Sequence, residues 1–461
     1  MERRDLFKIA GVGVAAITLS ACSSSKVASS SLVTVQKVMR KKTKGKRVVV
    51  VGAGFGGLTI AKQLRKEDKT LEVIVLEKKD VFMACPYSNA YLGGIKGATL
   101  DKLMHDFYEP AISYGYEFIR AEVIAIDRVS KVVSTTSGSI DYDILVLSPG
   151  ISYNYEGQFP DWDADKISLV SKRCPAGLIP GSEHLALKRE LEDMDDGDFV
   201  IVPPAKGKYR CPPAPYERAS MVANYMNNEE IEGKVIILDT RGGKFAKGKA
   251  FKESWEDLYK DRVVYVGRSE IVDVDPLKKV ITYKEFADKE DKKGIVKTIN
   301  YQVCNLIPNN KANPLIKLSG IETNDLGYAK MDGTSFRSIS DKSIYVIGDC
   351  VGHKIPPSGQ TAIWGAKRAA LEIVAGFGGE SFESSEGLPA KNANICFSMI
   401  NGNPDEAIMV THDFSLNPKT GNLKGKGTVP KPKDGDGKYR SKGVAKLTNE
   451  WFDGVMRELF L

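Results

Sequence analysis

Four valines, Val48 to Val51, run without a break into Gly52-Ala53-Gly54-Phe55-Gly56-Gly57, and this junction constrains the fold more than any other stretch of the chain. A short apolar run of this length predicts a parallel strand buried on both faces. Leu58, Ile60, Ala61 and Leu64 then follow at helical spacing, and Leu71 to Leu76 predicts a second strand ending at Glu77. In the order strand, glycine turn, helix, strand, acid, each residue type has a task. Gly52 permits the tight turn, Gly54 lets backbone approach a pyrophosphate, and Gly57 lets the helix pack on the strand. The helix N-terminus favours phosphate charge, and a carboxylate at Glu77 is placed for ribose hydroxyls. Phe55, Lys78 and Val123 are expected at the same site.

Two later segments decide which dinucleotide it is. Asp141 to Gly150 resembles the strand and turn that close the FAD domain of flavoproteins with two dinucleotide-binding domains. Ser343 to Asp349 resembles their later strand, which ends in Gly348 and in an aspartate, here Asp349, that binds the ribityl chain. Beyond it, Pro356 to Gly359 leads into a predicted helix through Thr361 to Ala366, whose N-terminus is expected to face the flavin and stabilise its reduced form. Relatives carry a lysine beside the Ser-Gly pair; Pro357 stands there in this chain.

From about Trp162 to Ile295 the alternation repeats, with Phe199 to Val202 and Val235 to Leu238 as predicted strands of a second Rossmann-like fold. Its first turn reads Pro203-Pro204-Ala205-Lys206-Gly207-Lys208-Tyr209-Arg210-Cys211-Pro212-Pro213. Proline has no amide hydrogen to give a pyrophosphate, so tight NAD(P)H binding is not expected. Cys211 precedes a predicted helix and follows Arg210, a setting that predicts a lowered thiol pKa. A buried structural cysteine is the other reading of this segment.

The remaining features narrow the class. A formal charge of +7 over 461 residues is spread thinly and accompanies no nucleic-acid-binding motif. Arg3 and Arg4, the apolar run Ile9 to Ala21 and the ending Ser20-Ala21-Cys22 predict a twin-arginine export signal over 1–21 and a periplasmic protein. Leu19 to Cys22 also fits a lipobox, which leaves open both plain cleavage and a lipid anchor on Cys22. Residues 22–45 read as a linker. Seven cysteines occur without CxxC or CxxCH, and the four histidines show no metal spacing, so no metal site is expected. His353 reads as a surface-loop residue, Cys174, Cys304 and Cys350 as core, and Asn417 to Gly443 as a surface loop. Phe452, Val455, Met456, Leu459 and Phe460 form a short stripe that reads as core.

Ala84-Cys85-Pro86-Tyr87-Ser88-Asn89, Tyr209-Arg210-Cys211-Pro212-Pro213-Ala214-Pro215-Tyr216-Glu217-Arg218 and Asn394-Ile395-Cys396-Phe397-Ser398 resemble three segments of the flavoprotein subunit of flavocytochrome c sulfide dehydrogenase. With the FAD motifs, the resemblance covers nearly everything after residue 46. It implies an α/β fold of glutathione-reductase type: an FAD domain over 46–160 and 300–385, a degenerate second Rossmann-like domain over 161–299, and a small α+β C-terminal domain over 386–461. It implies that Cys85 carries FAD through a thioether, and that Cys211 and Cys396 form a redox disulfide which hydrogen sulfide attacks. Electrons would then pass to a c-type cytochrome subunit, or to quinone if the chain is a sulfide:quinone oxidoreductase. A plain structural disulfide in a non-catalytic flavoprotein is the remaining alternative.

Overall fold

The computed structural model describes residues 45–461. The export signal, Cys22 and nearly all of the linker lie outside the described residues.

In chain order the main elements are β1 (Arg47–Val51), α1 (Phe55–Glu67), β2 (Glu72–Glu77), β3 (Glu117–Arg120), β4 (Ile144–Leu147), β5 (Phe199–Val202), α2 (Ala214–Asn228) and β6 (Val235–Asp239). They continue as α3 (Gly248–Leu258), β7 (Val263–Gly267), β8 (Val303–Leu306), β9 (Ile344–Val346), α4 (Gly359–Gly378), β10 (Ala390–Gly402), β11 (Asp405–Leu416), β12 (Leu423–Thr428) and α5 (Lys442–Phe460).

The first sheet has the order β9-β4-β1-β2-β3, and every pair in it is parallel. All five residues of β1 are buried, as a central strand covered on both faces requires. Chain order reverses between β1 and β4, and in open parallel sheets such a reversal leaves a ligand crevice beyond the strand ends. The glycine turn leaves β1 there and Ser148-Pro149-Gly150 leaves β4. The two turns press together so closely that a Cβ on Gly52, whose φ is +97°, would sit 2.4 Å from the Ser148 carbonyl oxygen.

The second sheet, β7-β6-β5-β8, is also parallel. Its edge strand β8 starts at Val303 and pairs with β5, Val200 opposite Cys304. The second domain therefore runs past the boundary expected at residue 300, because β5 needs a partner on that side. Ile151–Tyr153 pairs antiparallel with Asn310–Ala312, so the outgoing and returning connections between domains form one ribbon.

The C-terminal domain is the antiparallel sheet β10-β11-β12 with α5 against it. Part of the expected surface loop after Asn417 is strand β12, which pairs with β11 and buries Leu423 completely. The apolar stripe of α5 is core: Phe452 is fully buried and stacks on Tyr87 at 4.8 Å, and Phe460 meets Phe82 at 4.9 Å. Among the described residues, no helix is long and apolar enough to cross a membrane.

Candidate active site

The crevice at the chain reversal opens into a cavity to which all three domains contribute. Gly54, Phe55, Glu77, Lys78, Cys85, Gly150, Gly348, Asp349 and Gly359 line it from the first domain, Arg210, Cys211, Glu217 and Arg218 from the second, and Ile395, Cys396, Phe397, Thr448 and Trp451 from the third. The first turn of α1 has no side-chain cap, and a Cβ on Gly54 would meet nothing within 4 Å. That leaves amides and open space for a phosphate group. At Gly57 the constraint is reversed, because a Cβ there would lie 1.8 Å from the Gly52 carbonyl oxygen. Glu77 accepts from the Ala53 amide at 2.9 Å and from the Lys78 and Lys79 amides at 3.0 Å, tying the end of β2 to the glycine turn.

Cys211 and Cys396 meet in the wall of this cavity, close enough for the Cys211 thiol to donate to the Cys396 sulfur. Cys211 has the left-handed φ of 50°, and its amide donates to the Pro357 carbonyl at 3.0 Å. Strand β10 brings Cys396, whose carbonyl accepts from the Lys247 ammonium at 2.9 Å. The bond from Cys211, followed by the nearby Lys247, outweighs burial and brings the Cys396 thiol down to about 6. Cys211 moves the other way, because its proton is held between the two sulfurs and its own burial disfavours charge. Beside the pair lies Glu217, pushed up to about 7 by burial and accepting from the Met399 amide at 2.9 Å and Asn89 Nδ2 at 3.2 Å. Arg218 is 1% exposed; it donates to Asn89 Oδ1, Asn305 Oδ1 and the carbonyls of Ala176 and Gly177.

Residues 46–170 match the pyridine nucleotide-disulphide oxidoreductase family. Residues 184–308, which include Cys211, match the central region of the sulfide dehydrogenase (flavocytochrome c) flavoprotein chain. A flavoprotein chain of that name from Chlorobaculum thiosulfatiphilum is 58% identical over 45 residues, which is 94% of its sequence and 10% of this chain. The chain belongs to the flavocytochrome c sulfide dehydrogenase flavoprotein family. A mitochondrial sulfide:quinone oxidoreductase from Dictyostelium discoideum is 23% identical over 331 residues, covering 70% of this chain and 69% of that protein. The crystal structure of the Aquifex aeolicus sulfide:quinone oxidoreductase superposes with a TM-score of 0.67 at 16% identity over 90% of this chain and 91% of that one, a likeness of fold.

Members of this family are flavoproteins, and the cavity fits FAD. The uncapped start of α1 would hold a pyrophosphate through its amides, and the start of α4 at Gly359 supplies a second helix N-terminus in the same wall. Of the residues expected at this site, Gly52 and Gly57 build the turn behind the cavity wall without lining it, and Val123 lies on the separate strand Val123–Asp127 away from it; the others line the cavity. Asp349 pairs with Arg210 Nε at 2.5 Å. This corrects the expectation for Cys211, since the Arg210 charge is committed to Asp349 and the thiol pKa is raised. The lowered thiol is Cys396. His353 is also corrected; it is 2% exposed, its Nε2 lies 2.7 Å from the Ser335 carbonyl, and burial takes it down to about 4. Cys174, Cys304 and Cys350 are fully buried, and the Cys350 thiol donates to the Gly150 carbonyl at 2.6 Å. Cys85 lines the cavity with its sulfur 3.5 Å from the Leu178 carbonyl; burial raises its thiol pKa and the Arg210 charge opposes that.

Glu217, Arg218 and Lys247 were not singled out from sequence. The first two had a visible signal, an adjacent pair of charges inside a helix that is otherwise nearly all apolar or small. Lys247 had none, because it lies among several lysines after β6.

Proposed function

We propose that this protein oxidises hydrogen sulfide at the Cys211–Cys396 pair, with FAD held in the cavity through a thioether to Cys85, and passes the electrons to a c-type cytochrome. The observation that carries the reading is the meeting of two cysteines from separate domains in the wall of the cavity that fits FAD. In the oxidised state hydrosulfide attacks the disulfide, forming one S–S bond to the incoming sulfur and releasing the other cysteine as thiolate. Bound FAD supplies a two-electron acceptor beside that pair. Glu217, whose carboxyl burial pushes up to about 7, lines the same cavity as the pair and is the candidate proton acceptor for the step. Gly54, Phe55, Glu77, Lys78, Gly150, Gly348, Asp349 and Gly359 hold the dinucleotide, with Gly52 and Gly57 building the turn.

The second domain supports the same reading by what occupies its own crevice. Asp239, at the strand end where a ribose would bind, is fully buried and accepts from Tyr216 OH at 2.7 Å and Tyr265 OH at 3.0 Å. Phe245 stacks on Tyr216 at 3.9 Å. With these side chains and the proline-rich turn in place, nicotinamide dinucleotide is not the electron donor. The export pattern at residues 1–21 supports a periplasmic enzyme, anchored through Cys22 where the lipobox is used and free where cleavage is plain.

The test is anaerobic addition of sulfide to the holoprotein while following flavin absorbance, then addition of a c-type cytochrome or a quinone. Bleaching that Cys211→Ser and Cys396→Ser abolish, followed by cytochrome reduction, is the expected result. Reoxidation by quinone alone would move the protein to the quinone-linked reading, which the Dictyostelium relative favours. No bleaching in the wild type would sink the sulfide reading.

A further inference from the structure

Lys247 reaches the redox pair from a domain that, if the proposed function holds, no longer serves a dinucleotide. It stands at the start of α3 with the left-handed φ of 56°, and it is 6% exposed. Its ammonium donates to the Cys396 carbonyl and to Ser398 Oγ, both at 2.9 Å, so it grips β10 on either side of Phe397. A non-glycine residue in this backbone region costs free energy that the surrounding structure must offset, and such strain gathers at functional sites.

The charges around the pair are unevenly placed. Cys211, just ahead of α2, is faced by Cys85 and Glu217, both unfavourable to a second negative charge, and by the buried Arg218, whose guanidinium is bonded to Asn89 and Asn305. Arg210 and Arg218 bear first on the Cys85 side. Cys396 is faced by Cys211, Glu217 and Lys247, and His412 of β11 also feels Lys247. Lys247 is thus the cation that favours a charged Cys396.

We propose that Lys247 is a positioning residue of the redox pair: its ammonium settles negative charge on Cys396, so that an anionic sulfur nucleophile opens the disulfide at Cys211 and Cys396 departs. This rests on the redox role proposed for the pair. The step balances without a further oxidant: hydrosulfide and the disulfide give a persulfide on Cys211 and a thiolate on Cys396, one S–S bond formed and one broken. The sulfur that is the better thiolate leaves faster, and attack falls on the other. The lowered Cys396 thiol agrees with that polarity.

Two measurements on the full holoprotein test this. In the anaerobically reduced wild type, brief iodoacetamide pulses over roughly pH 5 to 9 should label Cys396 before Cys211, since alkylation follows thiolate. Lys247→Met should raise the midpoint pH of Cys396 labelling, with labelling at about pH 5, below both midpoints, slowed roughly tenfold for every pH unit that the midpoint climbs, and Lys247→Arg should restore it. Cys211 labelling first, or a folded Lys247→Met with an unmoved midpoint, overturns the proposal. Should Lys247→Met fail to fold, Lys247→Gln, which keeps a donor for the Cys396 carbonyl and Ser398 Oγ but carries no charge, gives the same midpoint readout. Separately, oxidised wild type mixed with sulfide and then alkylated should carry the persulfide on the Cys211 peptide; persulfide on Cys396 overturns the polarity. Absence of any persulfide would refute sulfide as substrate, while the midpoint shift in the Lys247 variant, which needs no sulfide, still judges Lys247.

Discussion

Glu217→Gln is predicted to change how stability depends on pH. In the folded protein the carboxyl is pushed up from an ordinary 4.5 to about 7, chiefly by burial, with Lys247 opposing. A raised carboxyl pKa means that the native state keeps its proton where the unfolded chain has already released it. The group therefore contributes its full stability below the unfolded value, loses it progressively between about pH 4.5 and 7, and contributes none above. Each pH unit across that window is worth about 1.4 kcal/mol, so the whole loss is about 3 kcal/mol for a carboxyl this deeply buried. Glutamine keeps an oxygen for the Met399 amide but turns an amide nitrogen toward Asn89. That cost, about 1 kcal/mol, does not vary with pH. Other titrating groups are shared by both proteins, so the difference in unfolding free energy between wild type and variant isolates Glu217. Urea denaturation at a series of pH values from about 4 to 8 should show that difference moving by about 3 kcal/mol in favour of the variant as pH rises. A difference constant to within about 0.5 kcal/mol would refute the buried, raised carboxyl.

Three further outcomes are expected. Gly57→Ala should abolish flavin retention, measured by absorbance of the purified protein, because the new methyl would lie against the rigid backbone at Gly52. Cys85→Ala should purify with flavin that acid precipitation releases, whereas in the wild type the flavin stays with the Cys85 peptide. Phe452→Ala should lower the unfolding free energy by about 3 to 5 kcal/mol in denaturant titration, since it removes a fully buried ring stacked on Tyr87.

The parts of the fold legible in sequence are those governed by local rules. Val48–Val51, the glycine turn and Glu77 could be placed because each carries its conformational or chemical reason on its own residue type. The meeting of Cys211 and Cys396 was legible only through family resemblance, since no local rule links the start of α2 to the middle of β10. Local reasoning failed for the Cys211 thiol because its proton is held against Cys396, far along the chain, and its surroundings are buried, while the adjacent Arg210 guanidinium is bonded to Asp349. It also missed strand β8, whose four residues look like a continuation of the returning chain until β5 claims them.

On the proposed reading, the second domain lends its crevice to the cysteine pair and not to a dinucleotide. Its sheet still places a helix N-terminus and a strand-end loop where a dinucleotide would lie, and these two positions are the ones that α2 and the β6–α3 loop now use. From α2 come Glu217 and Arg218, with Cys211 just ahead of it; from the loop comes Lys247, while Phe245 closes the crevice behind it. A pyrophosphate needs free amides and open space, whereas a cysteine pair needs a setting that stabilises one thiolate. The prolines of the turn after β5 offer no amide to a pyrophosphate, and in a closed interior they leave no donor to satisfy.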